Sequence, residues 1–163
     1  MIKKYAVSVC ALLICAASCA KIPEKVQSPS LKIDIETRDG AEVYSVRFSG
    51  GIANENSSTA LGDVKGSVVI RDPGSKKDVF SIPYRIDMIL PFSMGIIDAG
   101  KTCSKTEVEP LIGLFNINAE EMAKNKGSEG IFVEEERISL AVDSYLKHDI
   151  NTLLQGKINE KNK

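Results

Sequence analysis

The sequence predicts a mainly-β protein, an antiparallel β-sandwich of about seven strands with one short helix. Three observations lead there. Apolar and polar residues alternate in runs from residue 31 onward, the mark of half-buried strands. Turn signals such as Arg38-Asp39-Gly40 and Asp72-Pro73-Gly74 interrupt those runs at short intervals. One capped helical stretch stands out near residues 119–126, and no internal repeat of fixed period accompanies it.

The chain opens with a segment of another kind. Lys3 and Lys4 precede an apolar run over residues 5–18. A bilayer span needs about 20 apolar residues, so a run of about 14 suits an export signal better. A buried amino-terminal helix or strand is the competing reading. The run ends in Ala16-Ala17-Ser18-Cys19, which resembles the lipobox of bacterial lipoproteins, where small residues precede an invariant cysteine. The resemblance implies that Cys19 is diacylated through its thiol and becomes the first residue of the mature chain. The protein would then be held to a membrane of the cell envelope, facing the periplasm or the surface. Cys10 and Cys15 follow Val9 and Ile14, where the motif requires a small residue. Ala16 stands where the commonest lipobox has leucine. Ordinary cleavage after Ser18-Cys19-Ala20, releasing a soluble secreted protein, is the alternative. Two acyl chains suffice for stable anchoring, at about 0.8 kcal/mol per buried methylene.

This organisation divides the chain into a signal at 1–18, an anchored cysteine with a flexible tether at 19–30, and a sandwich domain at 31–160. The tether AKIPEKVQSPS has Pro23, Pro29, two serines and few large apolar residues. At about 3 Å per residue it would hold the domain up to about 30 Å from the lipid. Cys10 and Cys15 leave with the signal and Cys19 is used for acylation, so Cys103 has no partner for an intrachain disulfide. Stability must come from the core, and about 130 residues are enough for that. Without Lys3 and Lys4, 21 basic residues fall to 19 against 22 acidic ones, a net of about −3. No basic stripe with interleaved aromatics is present, which argues against a nucleic-acid partner.

The expected strands follow in order. Leu31, Ile33 and Ile35 share one face, and Tyr44, Val46, Phe48 and Ile52 another, with Gly50-Gly51 marking a bulge or a close backbone contact. After the polar turn NENSST, Val64, Val68 and Ile70 align. The longest alternation runs through Phe80, Ile82, Tyr84, Ile86, Met88 and Leu90, and Pro83 within it predicts an edge strand or a bulge. GIIDAGKTCSKTEVE reads as a further turn and strand around Gly100. Asn118 and Glu121 form a capping-box pattern for the one helix. The stretch EERISLAVDSYLKHDINTLLQGKI fits two strands, through Ile138, Leu140 and Val142 and then Ile150, Leu154 and Ile158. It also fits helical spacing through Ile138, Val142, Tyr145 and Leu153. Two strands are expected, because the preceding alternation needs partners for a second sheet.

Gly51, Asn54, Leu61 and Val64, with Gly100 further on, resemble two groups of small immunoglobulin-like domains, the LEA-type-2 (WHy-like) and FxLYD-like groups. The resemblance spans roughly residues 46–105 and implies an immunoglobulin-like sandwich without a catalytic centre. Asn54-Glu55-Asn56 replaces the Asn-Pro-Asn of the first group, and the aromatic-x-Leu-Tyr-Asp of the second is absent.

Residues that could carry chemistry are sparse. His148 is the single histidine, and nothing around Cys103 makes a Cys103–His148 pair resemble a thiol enzyme. No Gly-x-Ser-x-Gly or phosphate loop occurs, and no cofactor is implied. Zinc needs several histidines or cysteines, and Glu134-Glu135-Glu136 with Asp143 reads as a solvated acidic turn before it reads as a calcium site. The function expected is therefore a non-catalytic binding or structural module, with an envelope protein or a lipid as its partner. An exported enzyme with carboxylates gathered from distant strands is the rival. The candidate interaction surface is Phe92, Met94, Ile96 and Ile97 in LPFSMGIID, where core packing is the competing explanation.

Overall fold

The computed structural model describes residues 20–161; the signal at 1–18 and the proposed anchor Cys19 lie outside the described residues. Seven antiparallel strands form two sheets around one core. One sheet contains β1 (Val26–Arg38), β2 (Ala41–Asn54), β5 (Ser93–Cys103) and the two-residue β6 (Ile131–Phe132), in the order β5-β2-β1-β6. The other contains β3 (Thr59–Arg71), β4 (Asp78–Ile89) and β7 (Ile138–Asp149), in the order β4-β3-β7. The expected sandwich is borne out. Two hairpins, β1–β2 and β3–β4, are completed by β5 pairing with β2 and β7 pairing with β3.

Alternation places the core. Leu31, Ile33 and Ile35 sit opposite Phe48, Val46 and Tyr44, so these pairs share the inner face of the first sheet. Val64, Val68 and Ile70 sit opposite Ile86, Ile82 and Phe80 in the second. Phe48, Leu31, Ile33, Ile70 and Ile82 are fully buried, each stabilising the fold by about 1.5–3 kcal/mol relative to exposure. Pro83 lies on β4, an edge strand, where a missing N–H costs no ladder bond. Gly50 and Gly51 are places of close approach: a methyl on Gly50 would meet Val26 Cγ1 at 2.5 Å, and one on Gly51 would meet the Met94 sulfur.

Four expectations need correction. First, the tether is not free. β1 begins at Val26, and Ala20, Pro23, Val26 and Pro29 are buried at every third position. Within β1 the register with β2 breaks between Gln27 and Ser30, where Ser28 adopts φ +48°. Second, residues after Cys103 form helix α1 (Lys105–Leu114) and do not continue a strand, and Gly100 sits inside β5, opposite Arg47. The Glu107 carboxylate accepts the Ser104 N–H at 2.9 Å, half of a capping box, and Val108 and Leu111 bury the helix against the sandwich. Third, only the first of the two carboxy-terminal strands forms. After β7 the chain turns into α3 (Ile150–Lys161), where Asp149 accepts the N–H groups of Asn151 and Thr152. Fourth, the burial phase of β4 changes. Ile86 is buried, then Ile89, while Met88 and Leu90 point to solvent.

The expected helix is α2 (Ala119–Asn125), with the Asn118 side chain accepting the Glu120 and Glu121 N–H groups at 3.1 Å.

Candidate interaction surface

The turn joining β4 to β5 is built from a phase change. On β3 the buried residues step from Val64 to Leu61, with Asp63 between them at φ +45°, and the facing β4 steps from Ile86 to Ile89. The β3–β4 register runs unbroken through this step, so both strands change face together and the later residues of the hairpin follow. Even-numbered residues from 88 to 96 therefore face outward, and all but one neighbour a buried residue: Ile89, Gly95 and Ile97. Met88, Leu90, Phe92, Met94 and Ile96 are between 43% and 75% exposed. Phe92 occupies the turn with φ +51°, an uncommon conformation for an aromatic residue.

Of the four residues proposed from sequence, Phe92, Met94 and Ile96 are thus on the surface together, and Ile97 is not. Ile97 is 1% exposed on the inner face of β5 opposite Gly50, and belongs to the core. Met88 and Leu90 complete the patch. Strict alternation assigns them to the buried face, and only the phase change reveals them. Leu146, opposite Gly62 on β7 as Met88 is on β4, is a further exposed apolar residue at this end, as is Ile22 beside Lys21.

A polar network holds the tip in place. Asn54, 1% exposed, donates through Nδ2 to the carbonyls of Thr59, Ile89 and Leu90 at 2.9–3.1 Å. Its Oδ1 accepts from the Asn56 amide N–H and from Asn56 Nδ2. Asn56 in turn accepts the Lys21 N–H at 2.9 Å and donates to the Lys21 carbonyl at 3.0 Å. The amino-terminal segment, the β2–β3 turn and the β4–β5 tip are therefore one connected end of the sandwich. Further along the outer face of the first sheet the chemistry changes: Lys32 and Arg47 both pair with Asp34. Burial opposes ionisation there, but hydrogen bonds from Arg47 and Lys32 hold the Asp34 carboxyl below the usual range.

The other candidates are not assembled into a catalytic constellation. Cys103 ends β5 at the α1 side, whereas His148 pairs with Ala60 at the opposite end of the second sheet. Burial pushes the Cys103 thiol up, and Glu107 pushes it further, so it stays protonated at neutral pH. Glu134 pairs with Arg137 at 2.8 Å, and no group of three or more metal-ligating side chains occurs among the described residues. A groove of about 640 Å3 beside the amino-terminal segment gathers Glu24, Glu55 and Glu135, with Glu55 3.5 Å from Lys21. A smaller recess of about 280 Å3 lies beside α2, walled by Phe115, Ile117 and Met122. No helix among the described residues is long and apolar enough to cross a membrane.

No family model matches the chain, and neither a curated protein nor a solved structure is significantly similar to it.

Proposed function

We propose that this is a lipid-anchored protein of the cell envelope whose sandwich serves as a non-catalytic binding or structural module. One observation carries the binding role: five alternate apolar side chains, Met88 to Ile96, stand in solvent on a domain whose interior is otherwise filled. Exposed apolar side chains gathered at one tip in this way mark an interaction site. The anchor rests on the sequence, on Lys3-Lys4, the apolar run and Ala16-Ala17-Ser18-Cys19. A rival carboxylate enzyme would use a cleft such as the groove with Glu24, Glu55 and Glu135 or the open cleft with Asp98 and Asp143, and substituting those carboxylates would leave the binding role intact.

The test is metabolic labelling with a palmitate analogue in a bacterial host. Wild-type protein should take up label and fractionate with membranes, and Cys19→Ser should do neither. Unlabelled wild-type protein in the soluble fraction would instead establish the secreted form.

A further inference from the structure

We infer that the β4–β5 tip rests in the interfacial layer of the bilayer that holds Cys19, so that one end of the sandwich meets the membrane twice. The inference takes the membrane's position from the lipid-anchor reading and adds a second contact made by the protein itself.

The first ground is the lack of slack. Ala20, the residue after Cys19, is 6% exposed and belongs to the core cluster, and the Lys21 main chain exchanges two hydrogen bonds with Asn56. A lipid on Cys19 therefore begins one residue from the folded body, and the body must lie against the bilayer. The second ground is position. The amino-terminal segment and the start of β5 flank the end of β2 on its two sides, with Val26 opposite Ile52 and Ser93 opposite Asn54. Two strand spacings, about 10 Å, separate them. Whatever surface receives the acyl chains is within reach of the tip.

The third ground is chemical. The exposed side chains leave the hairpin in several directions, Met88 on the outer face of one sheet and Met94 and Ile96 on that of the other, with Phe92 at the turn. A protein partner would have to surround the tip with a matching socket. A bilayer surrounds it without shape complementarity, and aromatic and aliphatic side chains partition into its interface. Charges nearby carry no basic excess, Lys21 and Lys25 against Glu24, Glu55 and Glu135, so the contact does not depend on anionic lipid.

The chain contains no tryptophan, so Phe92→Trp introduces a single reporter. Ala41→Trp, at the start of β2 beside the β1–β2 turn at the opposite end, is the control. Each variant is purified as the full processed chain from host membranes, its acylation read by intact mass, and reconstituted into phosphatidylcholine vesicles with brominated acyl chains. Side chains seated about 5–10 Å deep should lose about half of their emission, so Phe92→Trp is quenched and Ala41→Trp is not. Adding Met94→Ser and Ile96→Ser, both exposed and harmless to the core, should weaken the quenching. Quenching of Phe92→Trp supports the tip contact whether or not the mass shows acyl groups. An acylated protein with unquenched Phe92→Trp overturns it while the anchor reading stands. A tip buried instead in a second copy or in a co-purified protein gives that same unquenched result.

Discussion

Residues 80–86 and 88–96 carry the same pattern, a large apolar side chain at every even position, and meet opposite fates. Phe80, Ile82, Tyr84 and Ile86 are 8% exposed or less, whereas Met88, Leu90, Phe92, Met94 and Ile96 are at least 43% exposed. Hydrophobicity does not separate the two runs. Strand phase does: it shifts once, opposite Asp63, and from there on the odd residues face the core. A protein can therefore turn a core-like sequence into a surface by changing the phase of both strands of a hairpin while their register stays unbroken.

The largest test of this comparison is a matched truncation. Ile82→Ala should destabilise the domain by about 2–5 kcal/mol, the range for emptying a buried aliphatic site. Ile96→Ala should change stability by no more than about 0.5 kcal/mol. Equal losses in denaturant unfolding would erase the distinction between the runs.

Asn54→Ala attacks the device that holds the shifted phase. It removes the side-chain donor shared by the carbonyls of Thr59, Ile89 and Leu90, of which Leu90 keeps Ser93, at a cost of about 1–3 kcal/mol. It also loosens Asn56 from its partner, so amide hydrogen exchange at Lys21 should accelerate with exchange near Leu90. Unchanged exchange at Lys21 would show that the amino-terminal segment and the tip are not coupled.

Gly95→Ala probes the inner side of the same turn. The added methyl would meet Ile89 Cγ1 at 2.7 Å and Ile86 Cδ1 at 3.3 Å, the two residues that bracket the phase change. Both are side-chain atoms that can shift, so a loss of about 1 kcal/mol is expected. A larger loss, with greater exposure of Ile89, would mean that the phase itself had slipped back.

The smallest effect at neutral pH belongs to Tyr84, in the buried run. Its hydroxyl is buried without a hydrogen-bond partner among the described residues. Burial, with the Asp143 charge, pushes its pKa up to about 12 from an ordinary value of 10.0. The folded state thus holds this proton more tightly than the unfolded chain does. Stability from that difference is fully present below about pH 10 and is lost as the pH rises toward about 12. Tyr84→Phe should be neutral or slightly stabilising at pH 7 and should flatten that alkaline decline, measured as melting temperature against pH.

Much of the architecture is readable along the chain. Period-two alternation located β1 to β4 because each strand has one face in the core, and Pro83 marked an edge because it cannot donate to a ladder. Asn118 announced α2 because a short acceptor side chain satisfies free N–H groups. The capping box of α1 was equally present in Ser104-Lys105-Thr106-Glu107, but the preceding alternation through Cys103 masked it. In the last third, Asp149 carried the stop signal for β7 and the start of α3.

For the candidate surface, the sequence by itself determined that a cluster of apolar residues follows Pro91, and that residues 16–19 look like a point of attachment. It could not decide which of those residues face water, because that depends on the partner strand's register. Only the tertiary structure buried Ile97, exposed Met88 and Leu90, and packed residues 20–29 onto the sandwich. The physical reason is that face and phase are properties of a paired ladder. A single strand has alternation, but its inside and outside are assigned by what it packs against.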